Sequence, residues 1–312
     1  MIPPRSILRI RAILRDTFKP IWDDVSGWLV VAILKATRRF DPQKTSEFFA
    51  DITRKIGPYL PENKVGRANL VAAFPENSPE EIDAILSEVW ANLGRVGAEF
   101  AHLDHIWDYE PSHPQDSRIE LTQDTIDKFA VLREDGKGAL VFASHLANWE
   151  LPALAGPAHG LDCAILFRRP NVAAVDRAVQ DIRRVNMGTM IATTPDAPYK
   201  LADALTRGVH IGMLVDQYFH RGVDVTFFGR TTKANPLLAR LLRQVDVPVY
   251  GVRVVRLPGH RFRAELSDEV KPVRDANGKI DVQGTMQAVT SVIEGWVREH
   301  PEQWLWLHRR WR

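Results

Sequence analysis

Apolar residues recur at three- and four-residue spacing through most of the first 110 positions, and gather into short unbroken runs after about residue 118. The first pattern belongs to helices that bury one face. Its sharpest start is Ser78-Pro79-Glu80-Glu81: an N-cap serine, a proline at the first helical position and two early acids. The helix that follows carries Ile82, Ile85, Leu86, Val89, Trp90 and Leu93 on one side, while Gly57-Pro58 and Phe74-Pro75 break the helical region. Beyond a polar stretch at 111–116, the apolar runs at 138–143, 163–167, 210–215 and 247–255 predict buried strands. Between them, 172–185 and 198–207 read as helices, and 261–266 pairs back as a hairpin through Leu257-Pro258-Gly259. A last helix spans 282–300. Strands alternating with helices predict an α/β fold, a central mostly parallel sheet flanked by helices with a helical N-terminal region. The expected organisation is a basic amphipathic segment over 1–40, then one domain over 41–312, helical from 41 to 110 with an α/β core from 118 to 312.

Composition narrows this little, but the distribution of charge matters. The chain has 312 residues and a net charge of only +2, so nothing global calls for nucleic acid. Residues 1–40 nonetheless hold eight basic residues against three acidic ones, among Ile, Leu and Trp. Ile7, Leu8, Ile10, Ile13 and Leu14 recur at roughly helical spacing with arginines between them. Two readings stand for this segment: a helix docked on its own domain, or one lying in the interface of an anionic membrane. The apolar stretch Trp28 to Leu34 is far shorter than the ~20 residues that cross a bilayer. Pro20, Asp23 and Asp24 interrupt the place where a signal peptide would keep its apolar core. The single cysteine, Cys163, excludes an intrachain disulfide and a cysteine-based zinc cage; its apolar surroundings favour a buried structural residue over a catalytic thiol, the other reading.

The candidate chemistry lies in Ser144-His145-Leu146-Ala147-Asn148-Trp149-Glu150, directly after the strand at 138–143. Open α/β sheets carry their functional residues beyond the carboxyl ends of strands. A histidine with a carboxylate partner is the least equipment that activates a hydroxyl, the imidazole taking the proton and the carboxylate fixing its tautomer. Spacing alone does not select the pair. Ten histidines and 39 acids give a His-x4-acid match about once by chance, and three occur: His105/Glu110, His145/Glu150 and His260/Glu265. His260 and Glu265 fall on or beside one strand, where an odd separation sends side chains to opposite faces. His105/Glu110 lies in an irregular acidic stretch. In a continuous helix, five residues turn the chain by about 500° and leave two side chains about 140° apart. Only His145/Glu150 spans a strand-to-helix turn, where the two can converge.

From this segment outward the chain resembles the late lipid A acyltransferases, the lauroyl/myristoyl type. The Ser144-His145-x4-Glu150 block with Asn148-Trp149 is similar to the family's first signature. Asn69-Leu70-Val71-Ala72-Ala73-Phe74-Pro75-Glu76, Phe167-Arg168-Arg169-Pro170-Asn171, Asp216-Gln217 with Phe227-Phe228-Gly229, and the ending Pro301-Glu302-Gln303-Trp304-x3-His308-Arg309-Arg310-Trp311 follow in the family's order. Two features depart from it: the short, interrupted N-terminal apolar stretch, and Thr231-Thr232-Lys233-Ala234-Asn235-Pro236 after the double phenylalanine.

The resemblance implies transfer of a fatty acyl chain from acyl carrier protein to a hydroxyl of a lipid A precursor, at the cytoplasmic face of the inner membrane. The expected partners are therefore acyl carrier protein, the lipid A precursor and the membrane surface, with no cofactor, no metal and no nucleic acid. His145 is expected as the base and Glu150 as its orienting carboxylate, with Arg169 as the first oxyanion donor, Arg168 beside it, and Asp216 and Gln217 at a second strand end. Arg183 and Arg184 are candidates for lipid phosphate or for solvent, and Phe227-Phe228 for an acyl tunnel or for packing. A related glycolipid or phospholipid acyltransferase using acyl coenzyme A is the alternative enzyme. A peripheral membrane protein without catalysis, and a metal-dependent hydrolase with His145 and Glu150 as ligands, are the other classes.

Overall fold

The computed structural model describes residues 27–312. Most of the basic stretch expected at a membrane, including Ile7 to Leu14, lies outside the described residues. Residues 27–37 are helical (α1). The helices Pro42–Ile56 (α2), Pro61–Ala73 (α3), Pro79–Glu99 (α4) and the short Leu103–Ile106 (α5) follow. Ser78 opens α4 as its sequence predicts, with a reciprocal capping box: the Glu81 N–H donates to Ser78 Oγ (3.2 Å) and the Ser78 N–H to Glu81 Oε2 (2.7 Å). Helix α4 packs closely on α2 because residue 94 is glycine; a Cβ there would stand 2.3 Å from Thr53 Oγ1 and 2.4 Å from the Phe49 carbonyl oxygen.

The α/β core begins at Ile119–Leu121 (β1) and Gln123–Glu134 (α6). It continues through Leu140–Ala143 (β2), Leu151–Ala158 (α7), Cys163–Phe167 (β3), Ala173–Arg183 (α8), Thr189–Ala192 (β4), Ala197–Thr206 (α9) and His210–Leu214 (β5). A hairpin of Val223–Phe227 (β6) and Arg230–Ala234 (β7) interrupts the alternation. Then come Leu237–Leu242 (α10), Val249–Leu257 (β8), Arg261–Leu266 (β9) and Val282–Glu299 (α11). Seven strands form one sheet in the order β1-β9-β8-β2-β5-β3-β4, parallel at every pairing but β8 with β9. The mostly parallel sheet, its flanking helices and the helical N-terminal region are those the hydrophobic pattern predicts.

Side chains alternate across a sheet, so register tells which residues share a face. Leu140 pairs with Ile211, and Ala164 with Ile211. These residues, with Phe142 and Met213, are buried with α9, α10, α11 and the tryptophans of the C-terminal tail in the largest core cluster. Val141 pairs with Gly212, and Ile165 with Gly212, on the opposite face. That face looks toward α6 and α7, and between them lies a cavity. The sheet therefore packs fully on one side and holds open space on the other. Among the described residues no helix is long and apolar enough to cross a membrane.

Candidate active site

Strands β2 and β5 are neighbours, so the segments leaving their carboxyl ends meet. Ser144-His145 leaves β2 and Val215-Asp216-Gln217 leaves β5. His145 Nδ1 lies 2.8 Å from Asp216 Oδ1, and the His145 backbone N–H donates to Asp216 Oδ2 at 2.8 Å. Trp304 Nε1 donates to the same Oδ2 at 2.8 Å. Asp216 is 2% exposed, so three donors hold a carboxylate that water does not reach. Burial would raise its pKa, but the charge of His145 and the hydrogen bonds from it win, and Asp216 stays well below the usual carboxylate range. Burial likewise works against a charged His145; attraction to Asp216, the bond to it and the charge of Glu150 outweigh this, and His145 is raised above an ordinary histidine. An ionised Asp216 accepts only, so Nδ1 carries the proton and Nε2 presents its lone pair. The Gln217 amide nitrogen stands 3.4 Å from that Nε2.

The partner of His145 is thus Asp216, where the sequence suggested Glu150. The strand-to-helix turn does bring Glu150 to the same cavity, as the residue capping α7. Its oxygens are taken by a different group: Arg183 of α8 donates from Nη2 to Oε1 (2.6 Å) and from Nε to Oε2 (2.8 Å). The side chains of this pair are 18% and 8% exposed, so Arg183 belongs to the site and is not a solvated surface residue. Arg168 lines the cavity mouth. Arg169, expected as the first oxyanion donor, is exposed and lies outside the lining, because successive residues leaving β3 diverge. Phe227 and Phe228 pack against Trp304, Trp306 and Phe74 in the core and do not line the cavity.

The turn itself is strained and held from outside. Ala147 has φ 46°, a left-handed conformation that costs a non-glycine residue roughly 1 kcal/mol or more. Its carbonyl accepts from Asn92 Nδ2 (3.1 Å), and its N–H donates to the Gln303 carbonyl (2.8 Å). Asn148 Nδ2 donates to Glu99 Oε2 (2.9 Å), and Asn148 Oδ1 accepts the Glu150 N–H (3.1 Å). Glu99 ends α4 and is paired with Arg256 of β8 at 2.5 and 2.9 Å. The Glu99 carboxylate is disfavoured by burial, yet its pKa is lowered by Arg256 and the bonds from Arg256, Asn148 and Ser46. Neither Glu99 nor Arg256 is distinguishable in the sequence from other charged residues. Their role depends on three elements meeting.

The cavity of ≈ 350 Å³ runs under the sheet from this turn. His145, Trp149, Glu150, Arg168, Arg183 and Gln217 surround its polar mouth, and the rest is mostly apolar, from β2, β3, β5, α6 and α7. Its size and character are those of a site for a small or chain-like apolar ligand. Small residues open it: Gly212 lies in its wall, where a Cβ would come within 2.7 Å of Ile165 Cδ1. Ser144 is buried, its Oγ has no hydrogen-bond partner among the described residues, and it does not line the cavity. No group of three or more His, Cys, Asp or Glu among the described residues is placed to hold a metal ion.

Comparison with known proteins identifies the chain's family. Curated relatives include a lipid A biosynthesis palmitoleoyltransferase of Escherichia coli K12, 24% identical over 265 residues that cover 82% of this chain and 80% of the relative. A lipid A biosynthesis myristoyltransferase of the same strain is 23% identical over 289 residues, 90% of this chain and 85% of its own. A lipid A biosynthesis acyltransferase of Shigella flexneri is 24% identical over 265 residues, 82% and 80% of the two chains. Residues 20–312 match the profile described as bacterial lipid A biosynthesis acyltransferase, and the chain belongs to that family.

Proposed function

We propose that this protein transfers a fatty acyl chain from acyl carrier protein to a hydroxyl of a lipid A precursor, at the cytoplasmic face of the inner membrane. The observation that carries the reading is the buried Asp216–His145 pair at the mouth of an apolar cavity, with the Gln217 amide 3.4 Å from His145 Nε2. The chain's family and the names of its relatives, a palmitoleoyltransferase and a myristoyltransferase, agree with a long acyl group as the one transferred.

In this mechanism the acyl chain lies in the cavity with its thioester carbonyl at the mouth. His145 Nε2 takes the proton of the acceptor hydroxyl as the oxygen attacks the carbonyl carbon. Asp216 holds the tautomer, and Asp216 with Glu150 stabilises the imidazolium that forms. Arg183 fixes Glu150 in turn. Arg168 and the Gln217 amide stand at the mouth to receive the tetrahedral oxyanion. Collapse breaks the carbon–sulfur bond, and the departing thiolate recovers the proton from His145. The acceptor's own oxygen is the nucleophile, which suits a Ser144 hydroxyl that makes no bond to His145.

His145→Ala and Glu150→Gln are each expected to reduce transfer to a tetra- or penta-acylated acceptor by about 100-fold or more, with circular dichroism unchanged. Wild-type rates in either folded variant would sink the assignment of that residue. Competition between acyl carrier protein and coenzyme A thioesters of one chain identifies the donor.

A further inference from the structure

The inner end of the cavity is not purely apolar. Leu132, Leu161, Cys163 and His210 line it, and all four are buried. His210 begins β5, level with Cys163 of β3, and lies six residues before Asp216. At a strand's rise this places it roughly 20 Å from the catalytic pair, along the direction in which the cavity runs. It is 5% exposed, and its Nδ1 is buried with no hydrogen-bond partner among the described residues. Burial lowers its pKa more than Asp135 and Asp162 raise it, so the ring is neutral and offers one donor and one acceptor.

A buried, unpaired polar nitrogen is costly and calls for a partner. A trapped water needs two to four polar neighbours, and here it would face mainly hydrocarbon. Asp135 and Asp162 act on His210 but do not line the cavity. The other polar side chain lining this end is the Cys163 thiol, which burial pushes up to about 12, so it stays protonated and is a weak partner. A polar atom carried in by the ligand itself would satisfy the ring and add no further burden.

We propose that the inner end of the cavity is a polar subsite in which His210 hydrogen-bonds a hydroxyl at or next to the far end of the acyl chain. The preferred donor class is then a terminally hydroxylated fatty acyl group. This rests on the reading that the cavity holds the acyl chain, and the two are separable by experiment.

The test compares a plain fatty acid with the terminally hydroxylated acid of equal length, for each of several lengths. Equilibrium binding to the purified protein is measured first, and transfer from the corresponding carrier-protein thioesters second. At the length that fills the cavity, the hydroxylated acid is expected to bind roughly three- to tenfold tighter, the yield of one neutral hydrogen bond. His210→Phe, which keeps a ring and removes both nitrogens, is expected to abolish that preference while still binding the plain acid. Plain acids bound as tightly as hydroxylated ones by the wild type at every length would overturn the subsite, and no variant is needed to see it. A preference that persists in His210→Phe overturns the role of His210. Transfer of both chains without preference leaves the proposed function standing and removes the subsite. A binding preference without any transfer does the reverse.

Discussion

Asp216 accepts three hydrogen bonds, and this fixes what its amide analogue must do. Oδ2 receives the His145 and Trp304 N–H groups, and Oδ1 receives His145 Nδ1–H. Asparagine has one oxygen. If that oxygen serves the two donors at Oδ2, its NH2 group faces Nδ1, which must then accept, so the proton moves to Nε2 and the base is lost. Asp216→Asn is therefore expected to lower kcat by about 100-fold or more at every pH, in a folded protein. In the proposed mechanism the working base is the neutral imidazole of His145, and both carboxylates favour its charged form. The acidic limb of kcat/KM is expected above the ordinary histidine range, with activity rising as pH increases through it. A limb at or below that range would show that His145 is not the titrating base. The same shifts both stabilise the fold, over opposite ranges of pH. The raised His145 stabilises the fold at pH below its unfolded pKa, and this is lost as pH rises through the folded value. The depressed Asp216 stabilises it above its unfolded pKa, and this is lost as pH falls through the folded value. His145 was legible in the sequence by its place after a strand. Its partner was not, because 71 residues separate the two and only the pairing of β2 with β5 brings them together.

Three elements far apart in the chain hold the turn that carries His145: the end of α4, strand β8 and the C-terminal tail. The tail runs beside it, with the Leu305 N–H donating to the His145 carbonyl (3.0 Å) and Leu146 bridged to Trp304. Asn69 reaches the same tail, donating from Nδ2 to the Trp306 and His308 carbonyls at 2.8 and 2.7 Å. Two motif blocks that look independent in the sequence thus share one joint. The joint's charged centre is Glu99 with Arg256, whose side chains are 6% and 11% exposed. Glu99→Ala strands a buried guanidinium and frees Asn148, and is expected to cost about 3–5 kcal/mol in denaturant unfolding. Replacing both partners by apolar residues of similar size is expected to recover most of that loss while transfer stays low, since Asn148 remains unheld. Equal stability of the single variant and the wild type would refute the joint. The helix start at Ser78 and the strands β2, β3, β5 and β8 follow from local pattern. The hydrophobic runs did not reveal β1, only three residues long, or the polar hairpin β6–β7, whose Arg230-Thr231-Thr232-Lys233 carries no core signal.

Over the whole molecule, one sheet face is packed and the other encloses the cavity, so the acyl chain is proposed to be held within the fold. The acceptor lipid must then arrive from a surface. Exposed Trp28, Leu29, Val30 and Ile33 on α1, with Lys35, Arg38 and Arg39 close behind them, continue the basic, apolar character of residues 1–26 into the described residues. This combination favours an anionic lipid interface. Changing Arg5, Arg9, Arg11 and Arg15 together to glutamate is expected to weaken sedimentation with anionic vesicles by at least about tenfold, from the loss of roughly 1 kcal/mol per basic residue. Binding to neutral vesicles is expected to change less. Unchanged sedimentation with anionic vesicles would contradict a membrane role for the segment.

What the sequence determined by itself was local in origin. Hydrophobic period decides helix from strand, a serine and two acids decide a helix start, and the position of a histidine after a strand marks a candidate site. These depend on residues within a few positions of one another. Tertiary structure alone decided the partnerships. Register placed Asp216 and not Glu150 on His145, sent Arg183 to Glu150, and put Glu99 beneath Asn148. It also left one face of the sheet unfilled, with His210 at its inner end. A buried charge takes whichever opposite charge the fold brings within hydrogen-bonding distance, and that choice is made by the pairing of strands, across separations that no spacing along the chain records.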